Sequence, residues 1–406
     1  MYKKRAIEAT INKTLKQFPV ILLSGPRQVG KTTVLRQLLD EKYSYITMDD
    51  PVQRRALQDD PALFLKSHPE RLLLDEIQYV PEAFSYLKMR VDEKQEMGQY
   101  ALTGSQSFHM MKGVSDSLAG RVGILELQGL SLRERLNLPF NKPFIPTESY
   151  ISERRNELVS YNSLWQTIHR GHMPRLALNP EFDWEIFYSS YVRTYIERDV
   201  RQLSQVADEN LFMRFMTSVA ARSGELINYH SISKEVGVSN DTIKRWISIL
   251  ESSGVVYLLQ PYANNHLKRA IKTPKLYFMD TGLLSYLTRW LTPETLSIGA
   301  MSGPVFETFI VSEIIKSFLN VGIIRPPLYF YRDRDQHEID LVIEIGDAVY
   351  PIEIKQSAKP DAKMGRHFEV LKLSPDKKLQ TGTILCQYNH LIWLRDDLIA
   401  LPIQYI

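Results

Sequence analysis

Apolar and polar positions alternate along this chain in several distinct regimes. Val20-Ile21-Leu22-Leu23 is an apolar run that reads as a strand, and Thr33 to Leu39 after it reads as a helix. Tyr43 to Met48 alternates as a strand does, and Asp49-Asp50-Pro51 stops it with a turn and a helix cap. Leu72-Leu73-Leu74 is apolar throughout, as in a strand buried on both faces of a parallel sheet. Two further strands are expected at Gln99 to Ser105 and Ile124 to Leu127, and residues 1–18 read as a short helix leading into the first strand. Pro139, Pro143 and Pro146 mark residues 139–150 as a linker. From 151 to 222 the pattern is helical, with Trp165, Trp184, Phe187 and Tyr191 expected in a core.

Ser231 to Trp246 has the pattern of a helix-turn-helix. Gly237 suits the tight turn and Ser239 the cap of the second helix, while Val236, Val238, Ile243, Trp246 and Leu250 supply apolar contacts. Val255–Gln260 and Lys275–Met279 then read as two strands of a wing. The loop between them carries Lys268, Arg269, Lys272 and Lys275 and no acid. Asn240, Lys244 and Arg245 could face a major groove and the wing could touch phosphates, although Asp241 would repel them. Winged helices also serve as packing or protein-binding modules.

Composition narrows the class. A chain of 406 residues exceeds one ordinary core, so two to four domains are expected. A net charge of +3 does not by itself argue for nucleic acid, so any basic patch must be local. The single cysteine, Cys386, leaves no disulfide framework and no cysteine-based zinc site. No apolar run reaches transmembrane length, and no signal-peptide segment follows the basic start, so a cytoplasmic protein is expected.

The chemistry begins at Gly25-Pro26-Arg27-Gln28-Val29-Gly30-Lys31-Thr32, a G-x-x-x-x-G-K-T between a strand and a helix. Gly25 and Gly30 let the backbone curl so that successive N–H groups face phosphate oxygens, and the helix N-terminus adds to that field. This predicts an ATP site spanning Gly25 to Thr33, with Lys31 on the β- and γ-phosphates and Thr32 on Mg²⁺. Asp75 and Glu76 end the apolar strand, as in a Walker B strand. Asp75 would hold Mg²⁺ and Glu76 would polarise the attacking water. Thr103 and Ser105 are both candidates for bonding the water or the γ-phosphate, and the sequence does not choose between them. Arg121, before the last core strand, could neutralise γ-phosphate charge in cis or from a neighbouring subunit of a homo-oligomer, or form an ordinary surface salt bridge.

These motifs, with Leu102-Thr103-Gly104-Ser105 and Ser117-Leu118-Ala119-Gly120-Arg121, resemble AAA+ ATPases. More narrowly, they resemble a widespread prokaryotic family that joins an AAA+ domain to a C-terminal domain of unknown function. Gly171-His172-Met173-Pro174 and Tyr195-Ile196-Glu197-Arg198-Asp199 are similar to that family's middle signatures, with His172 where a second glycine is usual. The resemblance implies ATP binding and hydrolysis.

A second constellation lies near the C-terminus. Pro304 suits the first turn of a helix that carries Glu307. Glu338-Ile339-Asp340 leads through a turn at Gly346-Asp347 to Glu353-Ile354-Lys355. With a two-residue hairpin turn, Asp340 lies opposite Glu353 and Lys355 opposite Glu338, close enough for the two carboxylates to share a divalent cation. Pro351 could shift this register. The set resembles the PD-(D/E)XK nucleases. That resemblance implies Mg²⁺ at Asp340 and Glu353, water activation by Lys355, and Glu307 completing the site. The fold often persists without activity.

The expected architecture is α/β. It comprises an AAA+ P-loop parallel-sheet domain (1–138), a helical lid (151–222), a winged helix (223–290) and a restriction-endonuclease-like domain (295–406). The expected cofactors are ATP and Mg²⁺, and the expected partner is nucleic acid, DNA over RNA. The expected function is ATP hydrolysis acting on nucleic acid, with a Mg-dependent nuclease domain; the alternative is an ATP-driven switch with an inactive one.

Overall fold

The computed structural model describes residues 2–104, 117–159, 163–195, 209–262, 273–333, 335–373 and 376–406. Ser105, the 196–199 part of the second middle signature, and the wing residues Lys268, Arg269 and Lys272 lie outside the described residues. The chain forms two compact units. The first comprises residues 1–141, 252–255 and 318–324, and the second 142–251, 256–317 and 325–406.

The first unit is built on five parallel strands: β1 (Val20–Ser24), β2 (Ser44–Thr47), β3 (Leu72–Asp75), β4 (Tyr100–Thr103) and β5 (Val122–Glu126), in the order β2-β3-β4-β1-β5. β1, β3 and β4 are buried along their whole length, because helices cover both faces of a parallel sheet. Their side chains join Phe64, Leu65, Phe84 and Leu87 in one core. Asp50 accepts the Val52 N–H at 2.8 Å and caps the helix Pro51–Asp59, so it acts as a cap.

The expected linker, which spans the end of the first unit and the start of the second, is partly core. Phe140 and Phe144 are buried, and a helix starts at Glu148, its Thr147 cap accepting the Tyr150 N–H. Packing of these aromatics overrides the proline signal. Helices Tyr229–Val236 and Asn240–Ser252 flank a turn in which Gly237 is left-handed, at φ 86°. β6 (Val256–Pro261) and β7 (Lys275–Phe278) follow as an antiparallel pair.

A boundary at 290–295 does not divide the sheet. β6 continues into parallel pairing with β8 (Leu328–Arg332) through Gln260–Tyr329 and Pro261–Phe330. Both strands therefore belong to one sheet with β9 (Glu338–Ile345), β10 (Ala348–Lys355), β12 (Gly382–Cys386), β13 (Ile392–Arg395) and β14 (Leu398–Pro402), in the order β13-β14-β12-β10-β9-β8-β6-β7. The short β11 (Lys378–Leu379) pairs with the start of β10.

His172 also acquires a place. Its ring is fully buried, stacks on Phe309 with centroids 5.5 Å apart, and puts Nδ1 3.0 Å from Lys316 Nζ. Its N–H donates to Asp280 Oδ2 at 2.7 Å. A second glycine here would leave the Lys316–Glu313 pair, 2.5 Å apart, without an imidazole beside it.

Gly171 sits at φ 81°, where an added Cβ would lie 2.7 Å from Asp280 Oδ1 and 2.8 Å from the Gly282 backbone. Gly171→Ala should therefore destabilise the second unit by about 2 kcal/mol or more, combining left-handed strain with overpacking. Chemical denaturation of wild type and variant checks this.

Candidate functional site

In the first unit the helix Lys31–Leu39 begins where the P-loop ends. Gly25 adopts φ 137°, and a side chain there would collide with the Leu127 carbonyl. Gly30 adopts φ 93°. Both glycines are thus required by the backbone. Lys31 Nζ donates to the Gly25 and Pro26 carbonyls at 2.9 and 2.8 Å, turning the ammonium into the loop that would cradle phosphates. Val29 is buried beneath the loop, while Arg27 is half-buried and Gln28 and Thr33 are exposed at its rim.

Thr32 Oγ1 donates to Asp75 Oδ1 at 2.8 Å, joining the P-loop helix to the acidic end of β3. Thr103, at the end of β4, also donates to Asp75 Oδ1. A hydroxyl and a carboxylate side by side at a strand end have the donor chemistry that a hard divalent cation takes. Glu76 stands next to them in the left-handed region, at φ 55°. Its N–H donates to Thr103 Oγ1 at 3.4 Å, and its carboxylate accepts from the Gln78 amide.

Two partners of this site carry no local signal. Tyr45, on β2, donates its hydroxyl to Asp75 Oδ2 at 2.9 Å; burial and the neighbouring carboxylate push its pKa up to about 12. Arg5 is buried beneath the loop. Its guanidinium donates to the Val29 carbonyl at 2.8 Å, to the Gln128 carbonyl at 2.7 Å and to Glu134 Oε1 at 2.9 Å. Burial would raise the Glu134 pKa, but Arg5 and the Ser131 and Ala6 N–H groups outweigh it and hold the carboxyl below its usual range.

Arg121 lies at the other end of the sheet. Its carbonyl accepts from Val20 N at 3.2 Å, so it sits beside the start of β1 while the P-loop follows its end, some ~13 Å away by strand rise. Its guanidinium forms a two-point salt bridge with Asp92 at 2.6 and 2.9 Å. In this placement Arg121 makes a surface salt bridge, the alternative to a phosphate role.

In the second unit the hairpin has the expected register. Ile345 pairs with Ala348 and Leu341 with Ile352. Pro351 causes no shift, because it falls between the end of β11 pairing at Val349 and the start of β12 pairing at Ile352. Beyond Leu341 the ladder gives way, and Asp340 Oδ2 itself accepts the Ile354 N–H at 2.8 Å. Lys355 Nζ lies 2.6 Å from Glu353 Oε1 and 3.5 Å from Asp340 Oδ2. Glu307, on the helix Ser302–Leu319, accepts from the Tyr277 hydroxyl at 2.6 Å.

Lys275 is corrected most. Read as a wing lysine, it is buried in β7, with Nζ 2.5 Å from Glu338 Oε1 and 3.4 Å from Glu307 Oε1. Burial alone would lower its pKa, yet Glu307, Asp340 and Glu338 raise it. Burial, reinforced by Asp340, pushes Glu353 up to about 8 and Glu307 up to about 7. Glu307, Asp340 and Glu353 are not gathered tightly enough around one point to form a ready three-ligand group. Among the described residues Asp333, Asp335 and His337 are gathered in that way.

With the geometry given, the relatives can be set beside it. Residues 17–136 match the family model described as AAA domain. Residues 302–406 match a domain of unknown function (DUF4143), and residues 161–294 another (DUF8612). An uncharacterized protein of Mycobacterium tuberculosis is 28% identical over 409 residues, covering 100% of this chain and 85% of its own. An uncharacterized protein of Haemophilus influenzae is 23% identical over 64% of this chain and 67% of its own. The Walker-type ATPase of Pyrococcus abyssi aligns over 71% of this chain and 96% of its own, at 13% identity and TM-score 0.42. The match over residues 17–136 supports a P-loop ATPase-like domain in the first unit. No described helix is long and apolar enough to cross a membrane.

Arg5→Ala should destabilise the first unit by about 3–5 kcal/mol, because it strands a buried carboxylate. Arg5→Met with Glu134→Leu should recover much of that loss in the same denaturation experiment.

The metal-free protein should also lose stability as pH rises from about 5 to 8.5. Glu353 and Glu307 hold protons in the folded state up to about 8 and about 7, against 4.5 for the ordinary carboxyl. Between those values the folded state binds more protons than the unfolded, so stability falls with pH. Glu353→Gln should flatten the fall measured by thermal unfolding.

Proposed function

We propose that this protein is an ATP-hydrolysing AAA+ ATPase acting on nucleic acid, whose C-terminal domain is a Mg-dependent nuclease. The observation that carries the ATPase reading is the Thr32–Asp75 hydrogen bond, which joins the P-loop helix to the acidic strand end. Lys31 exchanges its loop carbonyls for β- and γ-phosphate oxygens. Thr32 and Asp75 hold Mg²⁺, whose charge offsets that of the phosphates. Glu76 orients the attacking water. Arg121, paired with Asp92 in its own copy, neutralises γ-phosphate charge in trans from a neighbouring copy in a homo-oligomer.

Nuclease chemistry is supported by the approach of Glu307, Asp340, Glu353 and Lys355 from one helix and one hairpin. Asp340 and Glu353 would hold the divalent cation, with Glu307 completing the site. The cation supplies polarisation of the phosphodiester, and Lys355 positions the water. Nucleic-acid binding draws further support from the exposed Asn240, Lys244 and Arg245 after the Gly237 turn, the arrangement of a winged helix.

A second reading has its own observation. Lys275 and Lys355 already pair with two acids of the cluster, Lys275 at 2.5 Å from Glu338 and Lys355 at 2.6 Å from Glu353. That favours an ATP-driven switch that binds DNA or a protein partner and does not cut.

The deciding experiment is cleavage of plasmid and single-stranded DNA with Mg²⁺ or Mn²⁺, with and without ATP. Cleavage lost in Asp340→Ala and altered in Lys31→Ala is the expected result. No cleavage under any condition, with ATP hydrolysis intact, would select the switch. Unchanged ATP binding by Lys31→Ala would overturn the ATPase assignment itself.

A further inference from the structure

The second unit contains a cavity of 340 Å³, the size of a small-ligand site. Trp165, Gln166, Glu294, Gln387, Asn389 and Gln404 line it. Two short paths tie it to the carboxylate cluster. Gln387 Nε2 donates to the Gln356 carbonyl at 2.7 Å, and Gln356, which follows Lys355, donates its amide to the carbonyl of Ser297 on the cavity wall at 2.8 Å. On the other side Trp165 packs on Phe306 with centroids 6.3 Å apart, and Phe306 precedes Glu307. The cavity therefore flanks the two elements that deliver Lys355 and Glu307.

Its lining selects a ligand chemistry. The wall holds no lysine or arginine and one carboxylate, which is wrong for a phosphate. Each amide side chain offers both a donor and an acceptor, the complement of a base edge. The half-buried indole of Trp165 offers a face on which a base can stack. Glu294 accepts from the exocyclic amine of cytosine at the position where thymine and uracil carry a carbonyl. We propose that the cavity receives an unstacked nucleobase bearing an exocyclic amine, from the strand whose phosphate lies at the carboxylate cluster. The proposal rests on the nucleic-acid reading above and gives it a base preference.

Saturation-transfer NMR on the full chain tests it with 2′-deoxycytidine and thymidine, which have no phosphate for the P-loop or the cluster to hold. Deoxycytidine should give the stronger signal. Trp165→Ala should weaken it at least about five-fold, the low end of what base stacking is worth. Glu294→Gln, at an exposed position, should abolish the preference for deoxycytidine while leaving the melting temperature unchanged. Equal signals from both nucleosides, unmoved by Glu294→Gln, would overturn the proposal even if Trp165→Ala fails to fold. The DNA cleavage assay separates the two readings. Cleavage without nucleoside discrimination removes the base site and keeps the nuclease. Discrimination without cleavage keeps the base site and removes the nuclease.

Discussion

The phosphate loop of the first unit rests on one buried ion pair. Glu134 is fixed by its own capping box, in which Ser131 Oγ accepts the Glu134 N–H and the Glu134 carboxylate accepts the Ser131 N–H. That same carboxylate holds the Arg5 guanidinium, and Arg5 in turn holds the Val29 carbonyl inside the loop. A loop rich in positive φ is entropically costly to order, and a bidentate guanidinium fastening it to the end of a strand reduces its freedom before any ligand arrives. The ligand's binding energy then need not be spent on ordering the loop. The turn of Lys31 onto the Gly25 and Pro26 carbonyls belongs to the same economy, because the ammonium stays hydrogen-bonded in the absence of phosphate.

The second unit solves an electrostatic problem differently. Four acids, Glu307, Glu338, Asp340 and Glu353, share one region with two lysines and a tyrosine. Each carboxylate is costly to bury unless a cation or a proton accompanies it. Lys275 and Lys355 supply part of the compensation, while burial and the neighbouring Asp340 still raise the Glu307 and Glu353 carboxyls. Protons on Glu307 and Glu353 supply the rest as pH falls.

Sequence made the local chemistry legible and hid what acts over distance. The P-loop and the Asp75 strand end were readable because spacing and an unbroken apolar run specify them. The Asp340 hairpin was readable because a two-residue turn at Gly346-Asp347 fixes the register by arithmetic. Arg5 was not, because its carboxylate partner is 129 residues away and a basic N-terminus looks like any solvated one. Tyr45 and Lys275 were hidden for the same reason, with partners 30 and 32 residues distant. Lys275 was misplaced because its neighbours along the chain are basic, and composition says nothing about which face of a strand is buried. The join between β6 and β8 was invisible because alternation identifies a strand without naming its neighbour.

That join bears on how the chain is made. β6 and β7 are synthesised well before residues 328–332, whose pairing covers the β6 edge at Gln260 and Pro261. During translation, at roughly 5–20 residues per second, this hairpin waits for seconds with an unpaired strand edge. The Tyr262 N–H donates to the Phe330 carbonyl, at 2.6 Å, only once that strand has arrived. The nascent polypeptide thus presents this edge to any extended chain until its proper neighbour leaves the ribosome.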